Sequence, residues 1–235
     1  MAEHTVRPRY RGLRMTSPTR RFAARTSALA AVLTLALATS ALAQTQNDST
    51  QFSVSAGTLA FSTVPALPSL GAITLTGASQ TTTATMTNFG VDDATGTGSG
   101  WNVTVQGHTG SGESPVFAQY CPNATCGTDS GPGYVSSGAS LPANSLTLNS
   151  TGASFAAGTG TTGTAPTLQC GSGCYVDSST PVKVASAATS AGMGTWNTQS
   201  WSGTSLSLAT PSSLKVLQTN EVYHVDIVWT LTSGP

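Results

Sequence analysis

From residue 50 onward apolar side chains alternate with serine, threonine or asparagine, and apolar residues never recur at helical spacing for three turns. Phe52 and Val54 alternate with Ser53 and Ser55, and Leu59 and Phe61 follow. Ile73 and Leu75 alternate with threonines, as do Ala84 and Met86. Trp101, Val103 and Val105 alternate with Asn102, Thr104 and Gln106. Leu206 and Leu208 continue the pattern, and Tyr223, Val225, Ile227, Trp229 and Leu231 end it. A period of two with polar partners means strands buried on one face. Pro65, Pro68, Gly77, Gly90, Asp92-Asp93 and Pro211 punctuate these runs as turns. The solution that suits such a chain is an antiparallel all-β sandwich or barrel. Residues 44–235 are enough for one such core, so one domain is expected there.

The stretch from about 108 to 193 reads differently. It is rich in Gly, Ser, Thr and Ala, and its apolar positions are scattered. It is expected to be a long insertion of loops and short hairpins, with disulfides in place of a missing core. All four cysteines lie in it: Cys121, Cys126, Cys170 and Cys174. An even set suits an oxidising compartment. Three pairings are open: two local bridges, or either of two crossed arrangements that would close loops of ~45 residues and stabilise more. A zinc site would need tighter C-x-x-C pairs, so no metal is expected.

The first 43 residues read as an address. Arginines precede an apolar run from Ala28 to Ala38, and Ala41-Leu42-Ala43 closes it, which predicts a secretory signal and a mature start at Gln44. Met15 is a second candidate start, because a signal over 15–43 has a more ordinary length. The apolar run is shorter than the ~20 residues that span a bilayer, and no second run follows, so no transmembrane anchor is expected. All seven arginines lie before residue 26, and the only later basic residues are Lys183 and Lys215. Eight acids oppose those two lysines, so residues 44–235 carry a net charge of about −6. Such a chain cannot neutralise a row of phosphates, which excludes nucleic acid as a partner.

Catalytic motifs are mostly absent. Gly158 to Gly163 matches G-x-G-x-x-G, but it follows no predicted strand and opens no helix, so no dinucleotide cofactor is expected. There is no G-x-S-x-G, no H-E-x-x-H and no phosphate-binding loop. His108 and His224 are the histidines beyond the leader, and His224 is expected within the last strand on the face opposite Trp229. No catalytic residue is assigned, and the chain reads as a non-enzyme. Of the four tryptophans, Trp101 and Trp229 sit on the apolar faces of patterned strands and are expected in the core. Trp196 and Trp201 lie in a polar stretch and are candidates to stack on a sugar ring.

The turn Val91-Asp92-Asp93, the lead-in Gly98-Ser99-Gly100-Trp101-Asn102-Val103 and the late strand Ile227-Val228-Trp229-Thr230-Leu231 resemble the WxL-domain family. The distal motif is Trp229-Thr230-Leu231; in the proximal one Val103 stands where leucine is usual. The resemblance covers about 50–107 and 195–235. It implies a secreted β-rich protein of the Gram-positive cell surface, held non-covalently to peptidoglycan or another wall glycan, with other surface proteins as further partners. A negative chain is repelled by anionic wall polymers, so such binding would rest on stacking and hydrogen bonds. If Trp101 and Trp229 make the core, loop residues such as Trp196, Trp201, Tyr120, Tyr134 or Tyr175 would form the surface. The alternatives are a subunit or adhesin that assembles through edge strands, and a secreted glycan hydrolase with two acids facing one cleft.

Overall fold

A computed structural model of the protein describes residues 49–235, and the expected signal peptide, its alternative start and its cleavage site lie outside them. Among the described residues all regular structure is strand. The first strands are β1 (Leu59–Thr63), β2 (Gln80–Ala84), β3 (Gly90–Asp93) and β4 (Trp101–Gly107). Short pieces follow: β5 (Ala118–Cys121), β6 (Thr125–Cys126), β7 (Asp129–Ser130), β8 (Gly133–Tyr134) and β9 (Leu146–Leu148). Next come β10 (Ser154–Ala157), β11 (Thr167–Leu168), β12 (Cys174–Tyr175) and β13 (Val182–Ala187). The last are β14 (Gly194–Gln199), β15 (Leu206–Thr210), β16 (Val222–His224) and β17 (Ile227–Ser233).

Three four-stranded antiparallel sheets supply the core, in the orders β1-β3-β14-β10, β11-β13-β4-β17 and β12-β9-β15-β2. The arrangement is sandwich-like, with no closed barrel, as the alternating pattern predicts. β4 shows why: Trp101, Val103 and Val105 point inward and are fully buried, while Thr104 and Gln106 stay half-exposed on the other face. Leu146, Leu148, Leu206 and Leu208 meet them from the third sheet, and Phe89 and Val91 join from the region of β3. Trp101 donates its indole N–H to the Gly192 carbonyl at 3.0 Å, so the polar end of the ring is satisfied inside the core. β17 runs beside β4 along its whole length, from Ile227 opposite Gly107 to Ser233 opposite Trp101.

The stretch 108–193 is not only an insertion. β13 lies next to β4 at the centre of its sheet, and Val184, Ala185 and Ala187 are as buried as Val103. A bulge between Lys183 and Ala185 shifts the register, so Val184 and Ala185, adjacent in sequence, are both buried. That break hides the strand from a period-two reading. Asp92-Asp93 is likewise strand and not turn: both lie in β3, where Asp93 is buried and accepts the backbone N–H and the hydroxyl of Thr95. The alternation at Ile73 and Leu75 forms no strand.

The disulfides are the two local ones, Cys121–Cys126 and Cys170–Cys174. Each closes one tight loop; Cys121–Cys126 links β5 to the small β6-β7 sheet, and Cys170–Cys174 pins the turn that leads into β12. By loop entropy such short loops contribute roughly 2 kcal/mol each, about half of what a crossed pairing would give.

Candidate functional site

The last alternating run is broken by Val225-Asp226 into two strands of different sheets. β17 joins the core, whereas β16 pairs with β5, and β5 pairs with β8, to make a small three-stranded sheet. His224 therefore does not share a strand with Trp229, as a continuous run would require. The break is fixed by Asp226, whose own N–H is held by the Ser114 carbonyl while its carbonyl accepts from His108 N–H.

Strand pairing brings aromatic rings from three distant places together. Tyr120 lies opposite Val222 on one side and opposite Tyr134 on the other. The Tyr120 and Tyr134 rings meet edge-on at 5.0 Å, the His224 ring lies over Tyr120 at 4.7 Å with a 35° tilt, and Tyr134 and His224 are 5.9 Å apart. The Asp226 carboxylate locks the group. One oxygen accepts the Tyr134 hydroxyl at 2.6 Å and the Ser114 N–H at 2.9 Å, and the other lies 3.2 Å from His224 Nε2. Burial works to raise the Asp226 carboxyl, but the bonds from Tyr134 and Ser114 and the nearby His224 outweigh it and hold it below the ordinary carboxylate range. Tyr134 moves the other way: burial, then its bond to the Asp226 carboxylate, drives the phenol far upward, so it stays protonated. The His224 side chain is 45% exposed and is the outermost of the three rings.

Beside this face runs a groove of about 850 Å³. The extended stretch 65–75 and residues 214–218 form its walls, and Leu146, Leu206, Leu208, Ile227 and Trp229 line it deeper in. Ile73 and Leu75, whose alternation makes no strand, line it as well.

The tryptophans proposed to stack on sugar are placed differently. Trp196 is only 5% exposed, and its indole N–H donates to the Met193 carbonyl at 3.0 Å. Its alternation was concealed because the next inward residue of β14 is polar: Thr198 is fully buried and bonds both the N–H and the carbonyl of Phe89. A ring so enclosed offers no face to a ligand, which corrects the expectation for Trp196. Trp201 is half-buried, with its ring centroid 6.5 Å from that of Phe89 and its N–H on Thr198. Trp229 is half-buried against Phe89 at 6.0 Å, and Val103 and Leu231 face each other across β4 and β17. Tyr175 is exposed on β12, away from the other rings.

Among the described residues no group of His, Cys, Asp and Glu is arranged to hold a metal ion. Two acids do act on each other: Glu221, first through a hydrogen bond, raises the Asp129 carboxyl. Gln218 bonds Asp129 from its side chain and Glu221 from its backbone, so the three together tie the Cys121–Cys126 hairpin to the loop before β16.

Fold and surface together define a disulfide-pinned antiparallel β-sandwich that presents an aromatic face beside an apolar groove. The chain belongs to the WxL domain family, described as surface cell wall-binding, whose profile matches residues 53–235. The matched span includes the cysteine-containing middle. No curated protein and no solved structure matches the chain. Association with the cell wall at the cell surface follows from the family, and no helix among the described residues is long and apolar enough to cross a membrane.

Proposed function

We propose that this chain is a secreted, non-catalytic surface protein that holds peptidoglycan by stacking and hydrogen bonding. The observation that carries the reading is its membership of a wall-binding family over residues 53–235. The charge supports the mode of contact: eight acids against two lysines beyond the leader leave nothing to draw in an anionic polymer. The expected result is co-sedimentation of the oxidised 44–235 protein with purified sacculi, falling less than about threefold from low salt to 1 M, where the Debye length is only ~3 Å. Release of the protein by moderate salt would instead mean that charge does the holding.

One observation favours a second reading, self-assembly through strands. β17 pairs with β4 on one edge, and among the described residues no strand pairs with the other. Just before β1, Phe52 and Val54 are 91% and 82% exposed on an unpaired, alternating stretch. Open edges and apolar strand segments are ready partners for one another. This reading expects dimers that grow with concentration in light scattering and vanish in the Phe52→Ser/Val54→Ser double variant. A monomer at every concentration eliminates it.

A further inference from the structure

We propose that the ring cluster Tyr120–Tyr134–His224 is a saccharide-stacking site that takes the glycan strand of the wall, a chain of neutral N-acetylated pyranoses, with His224 and Tyr120 as the contact surface. The inference rests on the wall-binding reading and deepens it by choosing glycan over stem peptide.

Three features point to that chemistry. First, the rings touch one another at 4.7–5.9 Å and enclose no cavity, so what they offer is a surface. A flat ligand with an apolar face suits such a surface, as a pyranose ring does. Secondly, the cluster has no free charge to recruit an ion. Both oxygens of Asp226 are already engaged by Tyr134, Ser114 and His224, and neither lysine takes part in the cluster. A phosphate would find no lysine there, and an ammonium group would have to displace the bonds that set the rings. Thirdly, the cluster is pre-set. β5, β8 and β16 fix the backbones, and Asp226 fixes two of the three rings, so little side-chain freedom remains to be lost on binding. The Tyr120 hydroxyl, by contrast, makes no hydrogen bond among the described residues and is free to meet a sugar hydroxyl.

The test uses the oxidised 44–235 protein and two ligands, purified sacculi and the soluble β-1,4-linked hexamer of N-acetylglucosamine. Titration of the hexamer should shift the His224 and Tyr120 ring resonances of the wild type. Its affinity should fall at least tenfold in Tyr120→Ala and in His224→Ala, and by a smaller factor in Tyr120→Phe, which keeps the ring and loses only the hydroxyl. The chemical-shift map of the unaltered protein keeps the test decisive even if an alanine variant unfolds. Sacculus binding without any hexamer effect at these rings would overturn the glycan site and leave the wall reading standing, with the stem peptide as ligand. Hexamer binding at these rings without sacculus binding would uphold the site and sink the wall reading. Failure of both would remove both.

Discussion

Replacing Trp101 by alanine should cost about 3–5 kcal/mol of folding stability, the range for removing a large buried aromatic. The indole is fully buried and edge-on to Phe155 at 6.0 Å, and it carries the N–H that satisfies the Gly192 carbonyl. Truncation would leave a cavity at the meeting point of the sheets and an acceptor without its donor. At ~2–4 °C per kcal/mol for a domain of this size, the melting temperature should drop by roughly 6–20 °C. Urea titration of the oxidised protein measures it directly, and a loss under ~1 kcal/mol would contradict the enclosed position of the ring. Trp229→Ala should cost less, because that ring keeps part of its surface in solvent.

Gly100→Ala should be nearly as damaging although it adds a single methyl. Gly100 has φ +76°, and a Cβ there would collide with the carbonyl oxygens of Ala187 and Ala188 on the neighbouring chain segment. The left-handed backbone costs ~1–2 kcal/mol for a residue with a side chain. Forcing apart two backbones adds ~1–3 kcal/mol, as overpacking does elsewhere. Gly96 provides the comparison within the same loop: its φ is +68°, but a Cβ there meets nothing within 4 Å. Gly96→Ala should therefore lose only the first ~1–2 kcal/mol. Equal losses in the two variants, measured by denaturant titration, would mean that the close approach at Gly100 contributes nothing.

How far the sequence could be read depends on whether inward residues are apolar and evenly spaced. β4 satisfies both conditions, and Trp101, Val103 and Val105 announced it. β13 fails the second, because the bulge after Lys183 resets the alternation. β14 fails the first, because buried Thr198 interrupts an apolar face that Trp196 begins, and Trp196 then looked available to a ligand. The run through Tyr223 to Leu231 looked continuous, since nothing in its pattern marks the point where Asp226 turns the chain from one sheet to another. The aromatic face was legible only as separate candidates, Tyr120 and Tyr134. Neither their meeting nor the part taken by His224 and Asp226 could be read, because pairing of β5 with both β8 and β16 is a property of register. The disulfides show the same limit: spacing left three pairings open, and only the fold selects the local two.

The pairing of β4 with β17 joins strands about 120 residues apart in the chain. A ribosome working at ~5–20 residues per second makes the second of these strands roughly 6–24 s after the first. Throughout that interval the edge of β4 that β17 will cover has no partner, and the Trp101 side of the core lacks its last neighbour. Nucleation from the amino end is therefore unproductive for this chain. Its central sheet must close late and over long loops, the topology associated with slow folding and with exposure to aggregation on the way. Any machinery that keeps the nascent chain extended until its final strand is available would act with this topology.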